Sequence, residues 1–312
     1  MKLYLLIITA SFLGCSSIKN SEARQRTQLL KDVEILSSDA YQGRKTGTKG
    51  AEMARKYITE RFKQIGLSVA SGMMSYEQHF SFQNGKGERL NGVNMVAQIA
   101  GTSDNVIVIS AHYDHIGVIN NQIYNGADDN ASGVAALLQL AEYFKGTKPS
   151  HTLIFAAFDA EEMGLQGAKH FVSKPPLPLG KIKLNINMDM VSHNDKAELY
   201  ACGTYKYPQL KPYITSKNSK IKVLLGHDDP KMGSDNWTGQ SDHAAFNDKD
   251  IPFIYFGVED HEDYHKETDE FKNINTDFFI NAANAIQEIS ARLDKQLYIK
   301  SVVNEKKIIN RQ

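Results

Sequence analysis

The sequence predicts an α/β fold in which a mixed, mostly parallel central sheet is covered by helices on both faces. Continuous apolar runs such as 106–109 and 153–158 are typical of strands that are buried on both sides. Segments with helical spacing of apolar residues alternate with these runs, as expected when helices cross over a parallel sheet. Short runs of acidic residues and histidine follow several of the strands. We therefore expect chemically active side chains to collect at one edge of the sheet.

The first 15 residues predict an export signal. Lys2 precedes an apolar stretch, 3–13, which is too short to span a bilayer and is typical of a signal peptide. A small residue followed by Cys15 resembles a lipoprotein signal, in which the cysteine becomes the lipid-bearing first residue. The two residues before that pair depart from the usual pattern, so plain secretion stays open, as does a buried helix. We expect 1–15 to be a signal peptide, 16–24 a polar tether, and the protein to be exported, either as a lipoprotein on the periplasmic or cell-surface side or in secreted form.

Residues 25–297 are predicted to form a single domain, followed by a loose polar tail at 298–312. Helical spacing predicts helices at 25–37, at 131–144, at 164–172 and at 276–293, and one more that ends at Gly66. Strands are predicted at 76–82, 92–100, 106–109, 153–158, 182–188 and 252–256. The first two of these strands are expected to form a small extension. Residues 201–250 are irregular and give no clear pattern.

Composition narrows the class of protein. A chain of 312 residues suits one large α/β domain, or two at most, and a formal net charge of +0 gives no reason to expect a nucleic-acid partner. Cys15 and Cys202 are the two cysteines. If Cys15 carries a lipid, the mature chain has no disulfide, and its stability comes from the core. Cys202 follows an apolar run and is predicted to be a buried small residue rather than a catalytic thiol.

Five groups of potential metal ligands each follow a short apolar run, and this is the most informative pattern in the chain. They are His112-Tyr-Asp114, Asp128-Asp129, Asp159-Ala-Glu161-Glu162, Asp189 and His265. Ligands of open α/β sheets bind outside the carboxyl ends of the strands. Each group alone has an ordinary explanation, such as a polar strand end, a helix cap, a solvated loop or a surface histidine. Together they predict one site.

Acidic side chains at buried strand ends point to a cation. Adjacent carboxylates there repel one another and are costly to remove from water, and a bound cation removes that cost. Two histidines and several carboxylates provide too many oxygen atoms for one structural zinc ion, which usually takes cysteine and histidine. The set suits two Zn²⁺ ions about 3.5–4 Å apart that share a carboxylate and activate a water molecule.

At this point the sequence resembles the co-catalytic zinc aminopeptidases, a family that also includes glutamate carboxypeptidases and glutaminyl cyclases. The resemblance covers roughly residues 30–295 and rests on HxD, GADDNASG, DAEE, NMD and YH in that order. It implies a zinc exopeptidase fold of the phosphorylase/hydrolase-like type. The segment 36–66 also resembles the lead-in of bacterial lipoprotein or secreted members. Residues 67–100 are too short for the protease-associated domain that many relatives carry.

The resemblance also implies roles for individual residues. Asp129 would bridge two zinc ions and be followed by a cis peptide bond to Asn130. One zinc ion would be completed by His112 and Asp189, and the other by Glu162 and His265. The implied general base is Glu161, with Asp114 orienting His112, Tyr264 stabilising the oxyanion and Asp269 in a supporting position.

The implied activity is removal of N-terminal residues from peptides. The zinc pair would activate a water molecule, Glu161 would take its proton and return it to the leaving amine, and one zinc ion would hold the free α-amine of the substrate. Peptide substrates are the expected partners, with membrane contact only through the lipid at Cys15. Three alternatives stay open: a carboxypeptidase or dipeptidase, which needs a basic clamp for the substrate carboxylate, a glutaminyl cyclase, and a lipoprotein that binds peptide or metal without turnover.

Three further sites draw attention. We interpret His115 as a structural or rim residue and Arg44 as part of a solvated loop or of the rim. The string Ser241-Asp242-His243 resembles a segment near the substrate cleft of the family, but contiguous residues cannot form a catalytic triad. His243 has two interpretations, as a residue that contacts substrate and as one that does not, and the first is the less favoured.

Overall fold

A computed structural model describes the backbone of residues 23–309 and the side chains of residues 23–297. The predicted signal peptide, the lipidation site at Cys15 and most of the tether lie outside the described residues. None of the helices within residues 23–309 has the length and apolar character needed to cross a membrane.

Two helices lead into the sheet. The first, α1, covers residues 23–36, so it includes the last two positions of the predicted tether. A 3-10 turn, Asp39–Arg44, separates it from α2, Lys49–Ile65. The Thr48 side chain caps the start of α2 by accepting a hydrogen bond from the amide of Ala51, and Gly66 ends the helix in a left-handed conformation at φ 80°.

Within residues 23–309, nine strands form the main sheet and two more form a separate hairpin. The strands are β1 Ser68–Val69, β2 Glu77–Gln83, β3 Arg89–Ile99, β4 Ser103–His112, β5 Gly117–Ile119, β6 Gln122–Tyr124, β7 His151–Phe158, β8 Ile182–Met188, β9 Glu198–Cys202, β10 Lys222–Leu225 and β11 Phe253–Gly257. The main sheet has the order β1-β3-β7-β4-β8-β11-β9-β10, with β2 paired to β3, while β5 and β6 pair only with each other.

The centre of the sheet is parallel and its margins are mixed. Strand β4 pairs in parallel with β7 and with β8, and β8 pairs in parallel with β11. Strand β3 is antiparallel to β7, and β9 is antiparallel to β11. The predicted mixed, mostly parallel sheet is confirmed. The two strands expected as a small extension, β2 and β3, instead belong to the main sheet, because β3 pairs directly with β7.

Helices cover both faces of this sheet, as predicted. The remaining helices are α3 Gly133–Lys145, α4 Gln166–Ser173, α5 His243–Asn247 and α6 Thr276–Ile309. Short 3-10 turns occur at Leu179–Lys181, Pro208–Tyr213, Pro230–Asp235, Trp237–Gly239 and Phe271–Asn273. Helices α1, α2, α3 and α6 pack in one hydrophobic cluster, and α4 and α5 pack in another.

Alternation along the buried strands assigns side chains to the two clusters. In β4, Ile107 and Ile109 belong to the first cluster, whereas Val106 and Val108 belong to the second. This is the period of two expected for a strand that is buried on both faces.

The structure differs from the prediction in other segments as well. Helix α6 continues to Ile309, so the segment 298–309 is helical where a loose tail was expected. Residues 201–250, which gave no clear pattern, contribute β10 and several short helical turns. The hairpin of β5 and β6 was not predicted, because its six residues are too few for a periodic signal.

Candidate metal centre and active site

The carboxyl ends of the parallel strands place the predicted ligands together. Strand β4 ends at His112, β7 ends one residue before Asp159, and β8 ends one residue before Asp189. Because these strands are neighbours and run in the same direction, their ends meet at one edge of the sheet. The structure thus brings the five predicted metal ligands into a single site.

His112, Asp129 and Asp189 form the first half of the site. The Nε2 atom of His112 lies 3.3 Å from Asp129 Oδ1 and 3.2 Å from Asp189 Oδ1. All three residues are buried, and one donor atom from each lies within 4.8 Å of the others. This half matches the ligand set expected for one ion.

The other oxygen of Asp129 faces the second half. Asp129 Oδ2 lies 3.1 Å from His265 Nε2, and that nitrogen lies 3.6 Å from Glu162 Oε2. His115 also reaches this half, because its Nδ1 lies 2.7 Å from Glu162 Oε1 and 3.8 Å from Asp129 Oδ2. Of the two interpretations of His115, the rim position is wrong, because its side chain is fully buried. His115 instead groups with Asp129 and Glu162, and the three could hold a metal ion.

Backbone contacts fix the position of Asp129 between the two halves. Asp269 accepts hydrogen bonds from the backbone N–H groups of Asp128, at 2.8 Å, and Asp129, at 3.0 Å. The peptide bond from Asp129 to Asn130 is cis, as expected. The Asn130 side chain donates to the Met188 carbonyl at 3.0 Å and accepts from the Gly133 amide at 2.8 Å. The loop is thereby tied to the end of β8.

Arg44 holds the same loop from the other side. Its guanidinium donates to the carbonyl oxygens of Tyr113 at 2.8 Å, Leu36 at 2.6 Å, Asn125 at 2.7 Å and Gly126 at 2.8 Å. Arg44 is 0 % exposed, so the interpretation as a rim or solvated-loop residue is wrong. A buried arginine with several carbonyl partners leaves no periodic signal in a sequence, because all of its partners are backbone atoms.

Asp114 supports Glu161 more directly than it supports His112. The Asp114 carboxylate accepts the backbone N–H of Glu161 at 3.0 Å. His112 Nδ1 lies 3.1 Å from the Asp114 carbonyl oxygen but 3.8 Å from its carboxylate. The ring of His112 is thus oriented by the main chain of Asp114. Thr46, which the sequence did not point to, joins Asp114 to Asp159 by donating to Asp159 Oδ1 at 2.7 Å and contacting Asp114 Oδ2 at 3.4 Å.

The electrostatics of the site favour a proton acceptor beside a cation. Burial, reinforced by Asp189, Asp242 and Glu162, holds the pKa of Glu161 well above its usual value. Burial opposes ionisation of Asp129, but the three neighbouring histidines outweigh it and hold the pKa of Asp129 well below its usual value. Asp129 is therefore the anion around which the site is arranged.

A cavity of about 90 Å³ opens onto the site. Its wall includes ligands from both halves, Glu161 and Tyr264, together with Met190, Trp237, Gln240, Tyr255, Val258 and Asp260. The Tyr264 ring stacks on His265, with ring centroids 3.9 Å apart. The apolar wall formed by Trp237 and Tyr255 was not found from the sequence, because Trp237 lies in the segment 201–250, which gave no clear pattern, and the strand predicted at 252–256 did not show which of its side chains faces the site.

The segment 241–243 lies behind this cavity. His243 is buried, its Nε2 bonds to the Trp237 carbonyl at 3.0 Å, and burial lowers its pKa to about 3. It is not among the residues that line the cavity, so the less favoured expectation of substrate contact is not supported. Asp242 is fully buried without a hydrogen-bond partner for either oxygen, and burial raises its pKa to about 7.

The donors present fit zinc. Imidazole nitrogen and carboxylate oxygen are common zinc ligands, and Asp129 offers one oxygen to each half of the site. Carboxylates at this density are costly to bury without a cation. The Asn130 and Asp269 contacts provide the outer support that metal sites require.

One edge of the sheet carries histidines and carboxylates in the positions of metal ligands, together with Glu161, which is not one of these ligands. An α/β fold with such a site defines the metallohydrolase class of proteins. The model of the family described as "Peptidase family M28" matches residues 94–290. The chain belongs to that family. The matched segment includes every predicted site residue.

The chain is also similar to individual relatives and to solved structures. The chain is 27 % identical over 179 residues to "Aminopeptidase YwaD" of Bacillus subtilis, a match that covers 56 % of this chain and 36 % of the relative. Among solved structures, a Porphyromonas gingivalis glutaminyl cyclase aligns with a TM-score of 0.70 and 18 % identity, covering 87 % of this chain and 98 % of that one. An aminopeptidase from Aneurinibacillus sp. strain AM-1 aligns with a TM-score of 0.65 and 16 % identity, covering 85 % and 93 %.

The matches differ in how much of each relative they cover and in what they establish. The chain spans less than half of the length of the first curated relatives that it matches. At identities of 18 % and 16 %, the solved structures establish the fold, which peptidases and a cyclase share.

Proposed function

We propose that this chain is a zinc-dependent aminopeptidase that removes N-terminal residues from peptides. The observation that carries the proposal is the position of Asp129, whose two oxygens face two separate groups of ligand side chains while Glu161 lies in the same cavity. Membership of peptidase family M28 supports hydrolysis of a peptide bond. The name of the Bacillus subtilis relative supports attack at the N-terminus.

Two zinc ions are proposed, each with its own ligands. His112 and Asp189 would hold the first, Glu162 and His265 the second, and Asp129 would contact both. His115 is a possible further donor to the second ion because of its short contact with Glu162. Zinc supplies Lewis-acid polarisation of the scissile carbonyl and lowers the pKa of a bound water molecule.

Glu161 is proposed as the general base. The Asp114 carboxylate fixes its backbone, so its side chain is presented to the cavity from a rigid segment. A raised pKa suits a group that takes a proton from the attacking water and then gives it to the leaving amine. Asp114 acts in this account by positioning Glu161.

Tyr264 is proposed to stabilise the developing oxyanion. Its ring is held by stacking on His265, and Tyr264 is part of the wall of the cavity. Burial raises the pKa of this phenol, so it keeps its proton at neutral pH and can donate a hydrogen bond.

The charge of the cavity favours an amine over a carboxylate. Among the described residues that line it, none is lysine or arginine, whereas Asp129, Glu161, Glu162, Asp189 and Asp260 are acidic. A carboxypeptidase needs a basic group to bind the terminal carboxylate of its substrate. Asp260 is the acidic residue of this wall that is neither a proposed zinc ligand nor the proposed base, and we infer that it accepts a hydrogen bond from the α-amine of the substrate. The walls formed by Trp237 and Tyr255 favour an apolar first side chain.

Export is part of the same proposal. It is supported by the sequence of residues 1–17, in which an apolar run ends at a small residue followed by Cys15. We propose that Cys15 carries the lipid, that a tether follows it, and that 25–297 forms the peptidase domain. Fractionation of the producing cells tests this point: Cys15→Ser should move the protein from the membrane fraction to the soluble exported fraction.

The activity is tested with matched substrates that differ only in the N-terminal amine. We expect the zinc-loaded protein to hydrolyse aminoacyl and dipeptide substrates with a free amine and to leave their N-acetylated forms intact. Cleavage of blocked peptides from the carboxyl end would replace the proposal with carboxypeptidase action. Cyclisation of N-terminal glutamine without hydrolysis would replace it with a cyclase.

A further inference from the structure

The Trp237 wall of the cavity is held by a histidine that lies behind it. The imidazole of His227 lies parallel to the indole of Trp237, with ring centroids 3.6 Å apart and an angle of 8° between the planes. Tyr200 meets both rings edge-on, with its centroid 4.5 Å from that of His227 and 5.5 Å from that of Trp237. His227 does not belong to the described residues that line the cavity. Any effect of His227 on a substrate therefore passes through the wall residues that it holds.

Both nitrogens of the His227 ring face hydrogen-bond acceptors. Nδ1 lies 3.1 Å from the Asp235 carbonyl oxygen, and Nε2 lies 3.2 Å from Glu259 Oε1. Whichever nitrogen carries the proton therefore has an acceptor, and the ring cannot turn without losing one of these contacts. His227 is buried, and its backbone is left-handed at φ 55°, which is uncommon for a residue with a side chain. The surroundings thus hold the imidazole in one orientation beside the indole.

The same contacts join two walls of the cavity. The Trp237 amide donates to the His227 carbonyl at 2.7 Å, which closes the loop 228–236 at its base. Glu259 directly follows Val258, which lines the cavity after β11. The contact between His227 and Glu259 therefore fixes the Trp237 wall relative to the Val258 wall. The Glu259 side chain is 53 % exposed, so this contact sets geometry more than stability.

The size of the cavity makes the Trp237 wall a limit on the substrate. The cavity measures about 90 Å³, whereas a cavity of about 150 Å³ takes up a benzene ring. The space therefore suits an aliphatic side chain and not a phenyl ring while the indole stays in place. Removal of the His227 imidazole would leave room behind the indole, which could then move back and enlarge the cavity.

We propose that His227 is a specificity-determining positioning residue, which holds Trp237 so that the site accepts aliphatic first residues and rejects aromatic ones. Glu259 assists by fixing the orientation of the His227 ring. The inference rests on the proposed aminopeptidase function, because it concerns the side chain of the residue that is removed.

The test compares leucyl and phenylalanyl substrates that carry the same leaving group, with the full-length zinc-loaded protein. We expect the unchanged protein to prefer the leucyl substrate in kcat/KM and His227→Ala to lose about tenfold of that preference, the lower end of what an apolar pocket discriminates for one methylene group. Glu259→Gln should shift the preference in the same direction by less. His79→Ala and Glu262→Gln are the matched controls, at exposed positions outside the ring stack, and should keep the preference. An unchanged preference in His227→Ala, or a preference of the unchanged protein for the phenylalanyl substrate, would overturn the proposal.

Tryptophan fluorescence separates this inference from the proposed function. Trp237 is the one tryptophan of the chain, so intrinsic emission reports on this wall. Without substrate, acrylamide should quench the emission of His227→Ala more strongly than that of the unchanged protein or of His79→Ala. Equal quenching would show that His227 does not hold the indole and would contradict the proposal. Stronger quenching in a protein without peptidase activity would support the positioning role and contradict the proposed function alone.

Folding of the variants is checked by circular dichroism. If His227→Ala does not fold, Glu259→Gln provides the same two comparisons, because it alters only a half-exposed side chain. A leucyl preference and a quenching constant that both equal those of Glu262→Gln would then overturn the proposal.

Discussion

Arg44 offers the sharpest test of how the site is supported. Replacement by leucine keeps a side chain that fills part of the volume but removes every donor. Four carbonyl oxygens then lose a charged partner, among them those of Tyr113 and Gly126, which flank the loops of Asp114 and Asp129. Burial lowers the pKa of Arg44 to about 10, so the guanidinium is charged at neutral pH and its hydrogen bonds are of the charge-assisted kind.

The expected loss in the free energy of unfolding follows from the number of hydrogen bonds that Arg44 makes. A hydrogen bond to a charged group contributes about 1.5–3 kcal/mol, and part of the loss is recovered when water reaches the freed carbonyls. We therefore expect Arg44→Leu to lower the free energy of unfolding by at least about 4 kcal/mol, which is a large part of the 5–15 kcal/mol typical of a domain. Arg44→Lys should lose at least about 2 kcal/mol, because an ammonium has three donors and cannot reproduce the planar fork.

Urea unfolding at neutral pH measures this loss. Lys45→Leu is the control, because Lys45 is the exposed neighbour of Arg44 in the chain, and it should stay within about 0.5 kcal/mol of the unchanged protein. If Arg44→Leu also stays within about 1 kcal/mol, the carbonyl contacts do not support the site as we infer.

Three other perturbations follow from the same structure. In Gly133→Ala the added Cβ would lie 2.3 Å from Asn130 Oδ1 and 2.5 Å from the Met188 carbonyl, so stability should fall by about 1–3 kcal/mol and zinc affinity should fall with it, as measured by urea unfolding and chelator competition. Removal of zinc with a chelator should lower the melting temperature, because a ligand at 100 times its Kd stabilises the folded state by about 2.7 kcal/mol. His243 is neutral in the fold because burial lowers its pKa to about 3, so below pH 6.5 the unfolded chain takes up a proton that the folded chain refuses. His243 should therefore lower the free energy of unfolding by about 1.4 kcal/mol per pH unit as the pH falls from 6.5 toward 3. In His243→Gln, the free energy of unfolding should depend on pH less steeply by that amount.

Each of these has a control and a contrary result. Gly146→Ala should be nearly neutral, since its new Cβ would meet nothing closer than 3.5 Å, and equal effects at both glycines would contradict the packing argument. Zn²⁺ but not Mg²⁺ should restore the melting temperature, and a melting temperature unaffected by chelator would contradict a metal at the site. For His243, parallel pH curves for the two proteins would show that the imidazole is not held neutral.

The fold was largely predictable from the sequence because burial on both faces produces continuous apolar strands. The runs 106–109, 153–158 and 182–188 all became central parallel strands. Edge elements were harder to predict. Strand β10, Lys222–Leu225, is four residues long and only half buried, so its pattern is weak.

The ligands of the candidate site were predictable for a different reason. Acidic residues and histidines that directly follow buried strands are unusual, and parallel pairing brings them together whatever the loops do. The supporting residues left no such signal. Arg44 and Thr46 lie in a turn far from the ligands in sequence, and their roles depend on hydrogen bonds to Gly126 and Asp159 that only the folded chain creates. His115 could not be assigned between a structural and a rim position, because adjacency to Asp114 says nothing about burial.

The most direct test of the account is the activity of zinc-loaded Glu161→Gln toward a free-amine aminoacyl substrate. We expect this variant to keep the zinc content of the unchanged protein and to lose about 10²–10⁴-fold in kcat, because the amide cannot accept the proton while the ligands remain in place. Glu60→Gln, at an exposed position on α2, is the control and should retain both zinc and activity. Full activity of Glu161→Gln with its zinc retained would contradict the account.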